Sequence, residues 1–319
     1  MGANGSDSRG TFVSERFEEL RPLMFSIAYR MIGSVSEAED IAQEAFLRFH
    51  RESKEGAVID SPKAYLSTVT TRLAIDHLRS ARVRRETYVG QWLPEPLLTD
   101  AEPDAAQHAE TADSLSLAFL VLLESLSPVE RAVFLLRDVF DYPYGEIALV
   151  VGKSEDNCRQ IAARARHQVE ARKPRFEASR QRRDELARRF FAATDRGDTE
   201  GLIGMLAADV VAYGDTGGRG AALPRPIHGR DKIIRLLPEF VRRAKEAGLH
   251  MEMTEVNGQP GCVWVDEEGR LGAVVSIDIA DDQVQAVRSV SNPDKLRHLG
   301  EVSPAVASFG RGRRPPRAS

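Results

Sequence analysis

Cysteine is nearly absent from this chain of 319 residues. Cys158 and Cys262 are too few and too far apart for a disulfide framework, so a reducing, cytoplasmic setting is expected. Long hydrophobic runs are missing as well. The strongest, AFLVLL at residues 118–123, falls far short of the ~20 residues that a membrane-spanning helix requires. The amino terminus lacks the basic-then-apolar layout of a signal peptide. No zinc-ligand spacing, phosphate-cradling glycine loop or nucleophile triad occurs, so no cofactor, no metal and no catalytic role are expected. The net charge of −4 argues against a protein that coats nucleic acid along its whole length.

What is present is a folded composition, with 42% hydrophobic and 29% charged residues, on a chain long enough for two or three domains. Arginine is concentrated in islands. One runs from Arg159 through Arg164, Arg166, Arg172, Arg175, Arg180 and Arg183 to Arg189, a smaller one holds Arg79, Arg82, Arg84 and Arg85, and residues 95–113 between them are acidic. Such islands suit local phosphate contacts, or simply solvated helix ends.

Four pieces follow along the chain. In the first, from Phe12, the stripe Phe17, Leu20, Leu23, Met24 and Ile27 predicts a helix. A second helix is expected to be capped by Ser36 with Glu39 three residues on. It would turn Ile41, Ala45 and either Leu47 or Phe49 inward and leave Asp40, Gln43, Glu44 and Arg48 for another surface. Pro62 opens a third helix with Leu66, Val69, Leu73 and Leu78 as core. The second piece, QWLPEPLLTD within roughly Thr87 to Gln107, cannot continue a helix, and its Trp92 and leucines are ill-suited to water. In the third piece, Ser127-Pro128 starts a helix. Two short helices around Gly152, the second capped by Ser154, then read as a helix-turn-helix or a plain helical hairpin. As a DNA reader it would place Glu155, Asn157, Arg159 and Gln160 at base edges and Arg164 and Arg166 near phosphates. The fourth piece runs helices first and then strand-like segments, with Met251 and Met253 alternating against Glu252 and Thr254. An α+β fold with an antiparallel meander is expected.

AEDIAQEAFLRFH, AYLSTVTTRLAIDHLRS and LSPVERAVFLLRDVFDYPYGEIALVVGKSEDNCRQIAARAR, in this order and spacing, resemble regions two and four of the extracytoplasmic-function sigma factors. The carboxyl-terminal piece resembles the SnoaL-like branch of the nuclear-transport-factor-2-like cone. The SigJ-type group of sigma factors combines both and shares WLPEP (Trp92 to Pro96), DxGGR (Asp215 to Arg219) and NPDK (Asn292 to Lys295). Thr216 stands where that group favours glycine, which implies a stiffer loop.

The resemblance implies a multidomain fold of two all-α sigma domains followed by an α+β SnoaL-like cone. Its expected divisions are a disordered start at 1–11, region two at 12–86, a linker at 87–111, region four at 112–174, a regulatory domain at 175–300 and a flexible basic tail at 301–319. It implies an alternative sigma factor that binds core RNA polymerase and directs transcription initiation, regulated in cis by its last domain. The implied partners are the β′ clamp helices, the β flap and promoter DNA, with a small-molecule ligand in the carboxyl-terminal pocket as a further candidate. Asp40, Gln43, Glu44 and Arg48 would face polymerase. Lys63, Thr71, Arg72, Asp76, Arg79 and Arg82 would meet the −10 element, and the loop Glu52 to Asp60 would hold an unstacked base. Ser154, Glu155, Asn157, Arg159, Gln160, Arg164 and Arg166 would meet the −35 element. Trp92, Leu93, Pro94, Glu95 and Pro96 would dock near Asp215, Gly217, Gly218, Arg219 and Asn292, Pro293, Asp294, Lys295, the alternative being that Trp92 packs on its own helical domain. The competing reading is a DNA-binding sensor, or a SnoaL-type enzyme drawing on Asp215, His228, Trp264 and Asp278.

Overall fold

The computed structural model describes residues 5–86, 88, 90–99, 114–171, 180–218 and 225–307, and for 5–17, 81–86 and 307 the backbone only. The chain divides into two compact units, residues 1–84 with 122–172 and residues 85–121 with 173–319.

The first unit is helical. α1 (Gly5–Ile32), α2 (Val35–Lys54) and α3 (Pro62–Glu86) enclose Met24, Ala42, Ala45, Phe49 and Leu66. α1 starts at Gly5 rather than Phe12, because a polar first turn carries no apolar period by which a sequence reader would detect it. The expected disordered start therefore does not hold for residues 5–11. The cap of α2 is Ser34, not Ser36. Ser34 has the extended backbone a cap needs and accepts from the Glu37 amide at 3.3 Å, whereas Ser36 already lies inside the helix. Phe49, and not Leu47, turns inward.

After α4 (Leu117–Leu123), α5 (Pro128–Phe134) is held by a capping box in which Ser127 Oγ accepts from the Glu130 amide and the Glu130 carboxylate accepts from the Ser127 amide. A π-helical turn (Leu135–Val139) follows, then α6 (Tyr144–Val151) and α7 (Glu155–Glu170). Gly152, at φ 67°, supplies the left-handed residue that stops α6, and Ser154 caps α7. Ile147, Val150, Cys158, Ile161 and Ala162 seal the angle between them, so the predicted helix-turn-helix is present.

The second unit contains α8 (Arg180–Arg196), α9 (Thr199–Met205), β1 (Leu206–Asp215), β2 (Ile227–His228), α10 (Arg230–Glu246), β3 (His250–Val256), β4 (Gln259–Val265), β5 (Leu271–Ala280) and β6 (Gln283–Val290). The strands form one sheet in the order β2-β1-β6-β5-β4-β3. β3 to β6 are the expected antiparallel meander, but β1 pairs parallel to β6. The sheet is therefore mixed, as the long helical crossover from β1 allows.

One face of the sheet packs on α8 to α10 through Phe190, Phe191, Leu237, Val241, Trp264 and Ile277. The other face carries Val263, Val274 and Val290 against Leu93, Leu117 and Leu296. β5 is buried at every position because both faces are covered, which explains its unbroken apolar run. The expected alternation in β3 is only partial. Met251 packs on the core while Met253 is exposed on this sheet-edge strand. Glu301 to Val306 are not a free tail: the Leu271 amide donates to Glu301 O, the Ser303 amide donates to Leu271 O, and Val306 is buried. Residues 308–319 lie outside the described residues.

Replacing Ser127 with alanine removes the capping box and should cost about 1 kcal/mol, read as a lower urea midpoint with unchanged m-value. Hydrogen bonds from Ser127 hold the Glu130 carboxyl below its usual range. That share of stability is present above the unfolded-state value and is lost as pH falls through the folded one. Ser127→Ala should therefore flatten the acid limb of the stability–pH curve.

Candidate functional site

On α2, Asp40 and Gln43 are exposed and Glu44 and Arg48 are half-buried, the last two joined at 2.7 Å. Leu47 sits among them at 52% exposure, a large apolar side chain on an otherwise polar face. The sequence reading left Leu47 undecided between core and surface. Its helical spacing from Asp40, Gln43 and Glu44 was the available signal.

The six residues assigned to the −10 element do not form one open surface. Thr71 is wholly buried and its hydroxyl donates to Ser67 O, so it faces the helical core and is withdrawn as a contact. Arg72 donates to the carbonyls of Val150 (3.0 Å) and Leu149 (2.7 Å), at the carboxyl end of α6, where the helix dipole favours a cation. Lys63 lies over the Tyr142 ring at 5.8 Å, and the Tyr142 hydroxyl meets that of Ser67 at 2.6 Å in a buried contact. Asp76 and Arg79 are exposed and paired with each other. The side chain of Arg82 lies outside the described residues. In the loop Glu52 to Asp60, Val58 projects at 89% exposure.

On α7, Glu155, Asn157, Gln160 and Arg164 are exposed along one side. Ser154 uses its hydroxyl as the helix cap. Arg159 is paired with Glu155 and Asp156 above the Tyr144 ring, and Arg166 is held by Asp138 at 2.6 Å. Of the arginines proposed for DNA, two are therefore engaged within the protein.

The linker forms the most tightly bonded cluster in the second unit. Asp215, wholly buried at the end of β1, accepts through Oδ1 from the Tyr88 hydroxyl (2.5 Å) and the Gly217 amide (3.0 Å), and through Oδ2 from the Leu93 amide (2.9 Å) and Lys295 Nζ (2.6 Å). Lys295 also donates to Leu93 O and lies beneath the rings of Trp92 and Tyr88, at 4.5 and 4.9 Å. The Asn292 side chain donates to the Tyr88 hydroxyl and accepts from the Asp294 amide. Pro94, Glu95 and Pro96 are buried, and His298 meets Pro96 O at 2.7 Å.

Beyond Pro96, the linker joins the end of β3. The amides of Leu97 and Asn257 each find a partner on the other segment, the Thr99 amide donates to Glu255 O, and Asn257 Nδ2 reaches Leu115 O. Gly217 has φ 61°, and a β-carbon there would lie 2.6 Å from the Asn292 side chain, so this loop position needs glycine. Gly218 is exposed, the Asp294 carboxylate pairs outward with Arg297, and Arg219 lies outside the described residues.

Trp92 thus packs on the carboxyl-terminal unit, which decides between the two placements left open above. Sequence reasoning missed Tyr88, Asn257 and His298. Tyr88 stands only four residues before the quoted motif, but nothing local marks a tyrosine for a partner 127 residues away. Of the residues considered for catalysis, Asp278 pairs with Arg288, which lies over the Tyr213 ring; Tyr213 packs with the linker-side core. His228 is exposed, and Asp215 is bound to the linker.

Burial, then the hydrogen bond to Asp215 and its charge, raise the Tyr88 phenol above the ordinary tyrosine range. Stability from this site should be complete below about pH 10 and fall as pH climbs further. Tyr88→Phe should remove one late-ionising tyrosine from an alkaline absorbance titration. Asp215→Asn strips the buried Lys295 of its counter-charge. It should cost roughly 3–5 kcal/mol and abolish amide-exchange protection across residues 91–99.

Sigma-70 region 2 matches residues 16–84, and sigma-70 region 4 matches residues 116–169. The ECF RNA polymerase sigma factor SigJ of Mycobacterium tuberculosis (strain H37Rv) is 37% identical over 94% of this chain and 98% of its own length. A probable ECF RNA polymerase sigma factor SigI of Mycobacterium tuberculosis (strain CDC 1551 / Oshkosh) is 29% identical over 90% of this chain and 96% of its own. The crystal structure of Mycobacterium tuberculosis SigJ superposes with a TM-score of 0.72 at 34% identity, covering 89% of this chain and 98% of that one. The two sigma regions, the helix-turn-helix and the near full-length likeness together lead to one conclusion: this chain belongs to the extracytoplasmic function (ECF) family of RNA polymerase sigma factors.

Proposed function

We propose that this sigma factor works in the cytoplasm with core RNA polymerase and that its carboxyl-terminal domain controls initiation in cis by gripping the linker between the two promoter-reading modules. The observation that carries this reading is the clamp on Leu93, whose amide is bound by Asp215 and whose carbonyl by Lys295. Sequence-independent backbone capture, with Leu93 buried to 1% exposure, gives the segment one defined path at the cost of ordering a few residues.

The outward face of α2, with Asp40, Gln43, Glu44 and the bare Leu47, is the surface we assign to the β′ clamp helices. A charged rim around one apolar anchor suits a protein interface. α7 is assigned to the −35 element through Asn157, Gln160 and Arg164, with Glu155 and Arg159 joining once their mutual ion pair opens. Exposed pairs of this kind are worth ~0–1 kcal/mol, so phosphate or guanine readily replaces the carboxylates. Region four is also the part assigned to the β flap. The −10 element is assigned to Lys63, Arg72, Asp76, Arg79 and Arg82, with Val58 beside the base-capturing loop. Since Lys63 and Arg72 are engaged by Tyr142 and α6, binding at −10 requires those contacts to part.

Run-off transcription with purified core polymerase tests the scheme. Removing everything after Arg172 should change the yield of initiated transcript, and Asp215→Asn or Trp92→Ala in the full chain should shift it in the same direction, by at least threefold. Wild-type yields from both point variants beside an altered truncation would refute control through the linker. Leu47→Asp should lower affinity for core polymerase at least tenfold while leaving the melting temperature unchanged.

A further inference from the structure

A cavity of about 300 Å³ opens between α8, α10 and the helix-facing side of the sheet, and none of the interactions above use it. Its walls are aromatic. Phe240 stands edge-on to Trp264 with ring centres 5.7 Å apart, and Phe190 is edge-on to Phe191 at 5.4 Å. Within this apolar lining lie two hydroxyls without a protein partner, Thr194 Oγ1 and Thr216 Oγ1, the first on a side chain only 6% exposed. A buried hydroxyl left without a hydrogen bond costs about 1–3 kcal/mol, so both demand a partner from within the cavity.

The charged groups at the cavity's edge indicate what that partner is not. Glu239 and Arg243 line it but are bonded to each other at 2.6 Å, and Glu239 is also bound by Arg242. An ionic ligand would find no free counter-charge among the described lining residues, and burying an uncompensated charge is prohibitive. Nor is Glu239 poised as a general base. Hydrogen bonds from Arg242 and then Arg243 hold it at about 2, far from the neutral range that proton transfer favours. Asp215 and Asp278 are absent from the lining. The volume stands at the small end for ligand pockets, which suits two fused rings rather than four.

We propose that this cavity is a binding site for a neutral aromatic molecule of about bicyclic size bearing a hydroxyl or carbonyl group, stacked among Phe190, Phe240 and Trp264 and hydrogen-bonded to Thr194 and Thr216. The inference is independent of the role assigned to the linker, since it is read by binding alone.

2-Naphthol and naphthalene are the probes, titrated against the full chain by fluorescence and by thermal shift. Saturable one-to-one binding of 2-naphthol, at least tenfold tighter than that of naphthalene, is expected. Thr194→Val, nearly isosteric, should erase that preference by weakening 2-naphthol about tenfold while retaining naphthalene. Ala212→Phe, which fills the cavity from β1, should abolish both with an unchanged far-ultraviolet spectrum. Should Ala212→Phe fail to fold, the Thr194→Val comparison decides alone. The proposal is overturned by an absence of saturable binding, by equal affinities for the two probes in the wild type, or by a preference that survives Thr194→Val, which would mean that water alone serves the hydroxyls.

Discussion

The second unit is organised around one buried ion pair, Asp215 with Lys295, and around what that pair still lacks when the linker is away. Burying two charges is costly, and their attraction offsets the loss only if every remaining hydrogen-bonding position is filled. The carboxylate obtains two of its four donors, and the ammonium its carbonyl partner and both aromatic walls, from residues 88–93. The domain therefore presents a site that is complete only with its own linker in place. Specificity comes from leaving wrong occupants with unpaired buried charge.

The same economy of position appears on β1. Ala212, Gly214 and Thr216 border the cavity on the helix side, whereas Asp215 between them reaches the linker on the other. Alternation along a strand thus places two separate chemistries within three residues. Thr216, the departure from the expected glycine, contributes a hydroxyl to the cavity, and the adjacent Gly217 retains the left-handed turn that lets Asn292 approach.

In the helical unit, the residues expected to meet DNA are largely occupied. Arg72 caps the end of α6, Lys63 covers Tyr142, and Arg166 is held by Asp138. These are exchangeable contacts of guanidinium and ammonium with carbonyl, ring and carboxylate, the groups for which phosphate competes best. Thr71 differs, because its hydroxyl is spent within its own helix.

Local information determined much of this protein. Apolar periodicity placed most helices and the strands of the meander. Ser127, Ser154 and Gly152 marked where helices begin and stop, because caps and left-handed residues act within a single turn. The quoted linker motif identified its docking loops through resemblance. Tertiary structure alone decided which side chains complete the seat, that Thr71 turns inward and Leu47 outward, that β1 runs parallel to β6, and that residues 301–306 pack on β5. Those outcomes depend on partners up to 204 residues away, where no period or cap carries a signal, and on competition between faces of comparable hydrophobicity that only packing resolves.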